Sequence, residues 1–133
     1  MTPVVVDASV AAAWVLDDEH EARADVVLGG LEARGGVVPQ LWHLEVRNVL
    51  LAAERRGRIS ANSVDERLAG LAELPIRTAR EPDFGEVLAL ARAHRLSVYD
   101  AVYLAVARRH DAPLATLDSA LARAAQAVGL SPV

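Results

Sequence analysis

The stretch from Ser97 to Ala107, SVYDAVYLAVA, puts apolar residues on every side of a helix while carrying one carboxylate, Asp100. A helix that is apolar all round belongs inside a core, so the rest of the chain must cover it from more than one direction. The helical neighbours of Asp100 are Ala101, Tyr103, Leu104 and Ala107, and no Lys or Arg lies within one turn of it. A carboxylate in such surroundings costs several kcal/mol unless something pairs with it. One local answer is a capping box, with Ser97 as N-cap and Asp100 three residues on. The other answer is a partner brought in from elsewhere in the chain.

Composition limits the choices. With 133 residues the chain makes one domain, 1–133, large enough for a real core. Hydrophobic residues are 53 % of it and aromatics only 4 %, so the core is expected to be Ala, Val and Leu. Cys is absent, which excludes disulfides and thiolate metal sites. No apolar run is long enough to span a membrane and no basic-then-apolar leader opens the chain, so a cytoplasmic location is expected. All 14 basic residues are Arg, against 18 acids. Were four of those 18 acids to share a cation site, the remaining 14 would match the 14 Arg. A nucleic-acid coat protein would be basic instead, so contact with nucleic acid here must use bound cations and local Arg groups.

Read in order, short β-branched runs alternate with helical stretches. Pro3–Val6 reads as a strand covered on both faces, ended by Asp7, and Val10–Leu16 as a helix. Asp7 then sits at the carboxyl end of the first strand, where open α/β sheets place ligands, although Asp7 or Ser9 could equally be a simple helix cap. Asp17–Arg34 reads as a helix stopped by Gly35-Gly36, and Val37–Pro39 as a brief strand. In Leu41–Arg56, a helical projection puts Leu41, Trp42, Leu44, Val46, Val49, Leu51 and Ala52 on one apolar arc, with Glu45 near its middle and Asn48 beside it. No cap explains Glu45, because it lies inside the helix. Ser60 starts another helix to about Leu74. A strand at Ile76–Ala79, helices at Phe84–Arg95 and Val98–His110, a strand at Ala112–Thr116 and a helix at Ser119–Val128 complete the pattern, and Leu130–Val133 is a candidate edge strand. The expected architecture is a three-layer α/β/α sandwich around a mostly parallel sheet of four to five strands.

In that architecture Asp7 and Asp118 follow strands whose carboxyl ends share one edge. If Glu45 and Asp100 project to the same edge, four carboxylates meet. They would repel and raise one another's pKa values unless cations sit between them. Oxygen-only ligands suit Mg²⁺ or Mn²⁺ rather than Zn²⁺, and divalent ions in such a site serve phosphodiester hydrolysis.

At this point the chain resembles the PIN-domain ribonucleases that act as toxins of VapBC-type toxin–antitoxin pairs. The resemblance rests on Val5-Val6-Asp7-Ala8-Ser9, the run Pro39 to Leu50, the Tyr99-Asp100-Ala101 helix, and Thr116-Leu117-Asp118, in that order across nearly the whole chain. It implies that Asp7, Glu45, Asp100 and Asp118 are catalytic and hold Mg²⁺ or Mn²⁺. It further implies that Ser9, Asn48 and Thr116 support them by hydrogen bonding. It also implies endonucleolytic cleavage of RNA, often tRNA or ribosomal RNA, a homodimer, and an antitoxin partner. Arg55, Arg56 and Arg58 at one helix end, and Arg108 and Arg109 at another, are candidates for holding RNA phosphate, set against the plainer reading of solvated helix ends. His43 is expected to be structural, and Trp14 and Trp42 to anchor the core or an interface.

The residues exclude some rivals. A receiver domain resembles others of its kind in needing a Lys near the phosphorylated Asp, and there is none. A D-x-D phosphatase needs an acid where Ser9 stands, and no Gly-rich phosphate loop is present. The rival of another class is a non-catalytic interaction module that keeps the fold.

Overall fold

A computed structural model describes residues 1–16 and 20–133. The strands are β1 (Val4–Val6), β2 (Gly36–Val38), β3 (Ile76–Thr78) and β4 (Leu114–Ala115), and they form one parallel sheet in the order β3-β2-β1-β4. The register pairs Val5 with both Val37 and Leu114, which puts the β-branched run of β1 at the sheet's centre. β1 and β2 are buried throughout, whereas Arg77 and Thr78 of the edge strand β3 face solvent. Such near-continuous apolar strands need cover on both faces. The helices α1 (Ala8–Val15), α2 (Ala22–Arg34), α3 (Gln40–Arg55), α4 (Ala61–Ala72), α5 (Phe84–His94), α6 (Val98–His110) and α7 (Ser119–Ala127) supply it. Residues 4–6, 36–38, 76–78 and 114–115 give four parallel strands, so the three-layer α/β/α expectation holds at its lower strand count.

The all-apolar helix is where its sequence puts it. In α6, Ala101 and Tyr103 to Ala107 are buried, and the helix packs on β1, β4, α5 and α7. Its run of Ala residues is what lets so many elements come close. Ser97 is its N-cap, the Oγ accepting from the Asp100 N–H at 3.1 Å. At the other end Asp111 takes a left-handed conformation, φ 48°, and closes the helix with a bond from its N–H to the Ala107 and Arg108 carbonyls. Replacing Ser97 by Ala leaves that amide without its acceptor, so Ser97→Ala is expected to lower unfolding free energy by about 1 kcal/mol, measured by urea denaturation.

Four expectations need correction. The first helix begins at Ala8, not Val10, because the chain turns directly after β1. The second begins at Ala22 with Glu21 as its cap; the expected start falls on residues 17–19, which lie outside the described residues. Leu130–Val133 forms no strand, and β4 remains an edge. In α3 the buried stripe is Trp42, Val46, Leu50 and Ala53, spaced i, i+4, i+8 and i+11. Leu44 and Leu51 lie on the far side, 68 % and 37 % exposed. The apolar arc is therefore wider than the face α3 packs against α1 and α4, and Glu45 sits at the border of the buried stripe rather than in its middle. No helix among the described residues is long and apolar enough to cross a membrane.

Candidate functional site

Asp7 occupies the N-cap position of α1, yet its side chain makes no capping bond. Pairing of β1 with β4 brings Thr116 alongside, with the Asp7 N–H donating to the Ala115 carbonyl at 2.9 Å. The Ser9 and Thr116 hydroxyls both donate to Asp7 Oδ2, each at 2.7 Å. Each hydroxyl oxygen in turn accepts a backbone N–H, from Leu117 onto Ser9 Oγ at 2.9 Å and from Asp118 onto Thr116 Oγ1 at 3.0 Å. A hydroxyl has one proton to give, so accepting from an amide commits that proton to Asp7. The carboxylate is only 6 % exposed, and both side-chain donors converge on one of its oxygens.

Asp100 and Glu45 complete the neighbourhood from α6 and α3. Asp100 is half-buried, and its pKa is raised first by burial, then by the charges of Asp7 and Asp118. Glu45 is half-buried as well; burial raises its pKa, the Asp7 and Asp100 charges add to that, and a hydrogen bond from Tyr103 works against it. These cross-effects link all four acids into one electrostatic group, with no basic side chain among the causes. The arrangement is open rather than a finished cage. Among the described residues no three of His, Cys, Asp and Glu stand close enough together to hold one ion.

Asp118 has a second task that its spacing did not reveal. Its Oδ1 accepts from the N–H groups of Ala120 and Leu121 at 2.8 and 3.1 Å, which caps α7. Asp100, for its part, lies on the turn capped by Ser97, and the groups that reach it from elsewhere in the chain are the acids Asp7 and Asp118, not a compensating charge.

Tyr103 went unrecognised as part of this site. It is fully buried, and its hydroxyl donates to Glu45 Oε1 at 2.6 Å. Burial and the neighbouring Glu45 charge hold the phenol far above its ordinary pKa, so it remains a neutral donor. The available signal was its place three residues after Asp100 on the same helical face, together with the rule that a buried Tyr hydroxyl finds a partner.

The other candidates lie as follows. Asn48 is exposed one turn along α3 from Glu45 and, among the described residues, donates to none of the four acids. Arg55, Arg56 and Arg58 are exposed at the far end of α3, about 15 Å of helix from Glu45. Arg108 pairs with Glu86 at 3.1 Å, and the Arg109 guanidinium donates to the carbonyls of Arg80 and Glu81, so both fasten the end of α6 to the start of α5 and its preceding loop. His43 is structural in its contacts: it shares a 2.8 Å hydrogen bond with Thr78 Oγ1 on the edge strand and stands edge-on to the buried Trp42 ring. Burial and the Arg47 cation lower its pKa, which keeps it neutral. Trp14 is partly buried, its indole N–H donating to the Ala24 carbonyl at 2.8 Å.

A donor set made only of carboxylates, from buried Asp7 through half-buried Glu45 and Asp100 to exposed Asp118, mutually repelling and without a basic partner, is chemically suited to a hard divalent cation. Residues 4–127 match the PIN domain. The chain is 33 % identical to Ribonuclease VapC3 of Pyrobaculum aerophilum over 123 residues, 90 % of this chain and 92 % of that protein. Its fold is similar to that of PAE2754 from Pyrobaculum aerophilum, with a TM-score of 0.69 and 23 % identity over 92 % of this chain and 84 % of that one. It is also similar in fold to VapC20 of Mycobacterium tuberculosis, a sarcin–ricin-loop-cleaving toxin, with a TM-score of 0.64 and 16 % identity over 98 % of both chains. The match over residues 4–127 and the 33 % identity along nearly the full length establish kinship as well as fold, and this chain belongs to the PIN-domain family, in which it is similar to the VapC ribonucleases.

Proposed function

We propose that residues 1–133 act as one domain, a Mg²⁺- or Mn²⁺-dependent endoribonuclease that serves as the toxin of a toxin–antitoxin pair in the cytoplasm. The observation that carries this reading is that Asp7, Glu45, Asp100 and Asp118, from the ends of β1 and β4 and from α3 and α6, act on one another electrostatically, with no basic side chain among the causes. These four would hold the metal, and a divalent cation there supplies the positive charge that phosphodiester hydrolysis needs at its scissile oxygens. Ser9 and Thr116 fix the rotamer of Asp7 through its Oδ2 and leave the other oxygen free of both hydroxyls. Asp118 is aimed by the two α7 amides it accepts from. Glu45, half-buried and held by the Tyr103 hydroxyl, is placed to orient or deprotonate an attacking water. Arg55, Arg56 and Arg58, exposed at the end of α3, are the groups suited to follow the RNA backbone away from the cut.

The RNA is proposed to be tRNA or ribosomal RNA, a reading supported by the ribonuclease and toxin relatives. An antitoxin partner and a homodimer are proposed on the same grounds. Leu44, Phe84 and Tyr99, 68, 67 and 62 % exposed, are apolar side chains that such a partner would cover. The test is direct. Purified protein incubated with total RNA is expected to cut it in Mn²⁺ and to stop on chelation, with sequenced ends showing a small set of sites. Absence of both cleavage and divalent-ion binding heat would leave the non-catalytic interaction module as the reading.

A further inference from the structure

Tyr103 stands at a junction that the proposed reaction does not by itself require. Its ring is sealed in the core of α6, with no exposure. Its hydroxyl donates to Glu45 Oε1 on α3 at 2.6 Å. One buried hydroxyl therefore ties α6 to the carboxylate of Glu45, from a residue one turn beyond Asp100. The phenol stays protonated, so the bond runs from Tyr103 to Glu45.

We infer that Tyr103 is a positioning residue: through its hydrogen bond to Glu45 it fixes which oxygen of Glu45 faces the acidic group, and at what distance from Asp7. The inference rests on the endoribonuclease reading above. Glu has three rotatable side-chain bonds, so without this anchor its carboxylate samples several positions, of which few serve the reaction. Partners that orient metal ligands in this way change metal affinity or activity by about 10–100-fold when removed. Tyr103 need not touch RNA for this, nor does it titrate.

Tyr103→Phe keeps the ring and removes only the hydroxyl. In the full chain it is expected to lower kcat for RNA cleavage about 10–100-fold, to leave KM for RNA within about two-fold, and to weaken Mn²⁺ binding measured by calorimetry by a similar 10–100-fold. In a Glu45→Gln background the same change is expected to add almost nothing, since the residue it acts through is already altered. A purely structural role would instead move the melting temperature while sparing the kcat-to-KM split and the coupling. Wild-type kcat and Mn²⁺ affinity in Tyr103→Phe would overturn the inference while leaving the enzyme reading intact. A wild-type protein that neither binds Mn²⁺ nor cuts RNA removes both.

Discussion

Asp7→Asn is expected to lower the rate of RNA cleavage by on the order of 10²–10⁴-fold, several kcal/mol of transition-state stabilisation, while leaving the fold in place. The two effects separate because Asn is nearly the same shape. Its carbonyl oxygen can still accept from the Ser9 and Thr116 hydroxyls that now hold Oδ2 at 2.7 Å. What the substitution removes is one negative charge, 6 % exposed, from beside Asp100 and Glu45, whose carboxyls the Asp7 charge now helps to hold in the protonated direction. In chelator, therefore, Asp7→Asn is expected to melt at or above the wild-type temperature. Asp7→Ala is the contrasting variant. It leaves two half-buried hydroxyls without their acceptor, each losing a hydrogen bond worth about 0.5–1.5 kcal/mol, and is expected to melt lower. Cleavage rates and melting temperatures of the three proteins, with and without Mn²⁺, check the point. An Asp7→Asn protein that cuts RNA at the wild-type rate would remove Asp7 from the reaction.

How far the sequence discloses this site follows from what kind of force places each residue. Asp7 was legible because a β-branched run that ends in an acid marks a strand's carboxyl end, and parallel pairing then fixes which edge it reaches. Asp100 was legible because a lone charge in an all-apolar helix is an anomaly at any depth. Glu45 was found by the same reasoning, although on an arc drawn too wide. Periodicity records which residues are apolar, not which are covered, so Leu44 and Leu51 were placed inward when the packed stripe is Trp42, Val46, Leu50 and Ala53. Tyr103 escaped for the opposite reason. Its ring satisfies the helix pattern completely, and its one polar atom meets its partner across 58 residues of sequence. The cap formed by Asp118 and the ties made by Arg108 and Arg109 are contacts of side-chain geometry, which spacing alone does not encode.

In chelator, thermal stability is expected to fall as pH rises from about 4 toward neutrality, and divalent ions are expected to reverse that trend. Glu45 and Asp100 both have raised pKa values in the folded protein, chiefly from burial and then from the other acids. A carboxyl raised above its unfolded value, about 4 for these residue types, binds more protons folded than unfolded over the interval between the two. Its stabilising contribution is therefore complete below the unfolded value and is lost as pH climbs through the folded one. Glu21 runs the other way, its pKa lowered by hydrogen bonds from Arg23, but it is a surface group whose effect solvent screens and divalent ions do not touch. Binding of Mn²⁺ at about 100 times its dissociation constant contributes about 2.7 kcal/mol to the folded state, which for a domain of this size raises the melting temperature by several degrees. That gain requires ionised carboxylates, so it grows with pH over the same interval in which the metal-free protein weakens. Melting curves from pH 4 to 8 in chelator and in Mn²⁺ are expected to diverge steadily, and the double variant Glu45→Gln/Asp100→Asn is expected to flatten both. Parallel curves in the wild-type protein would mean that the acids of this edge neither burden the fold when empty of charge partners nor recruit an ion to relieve it.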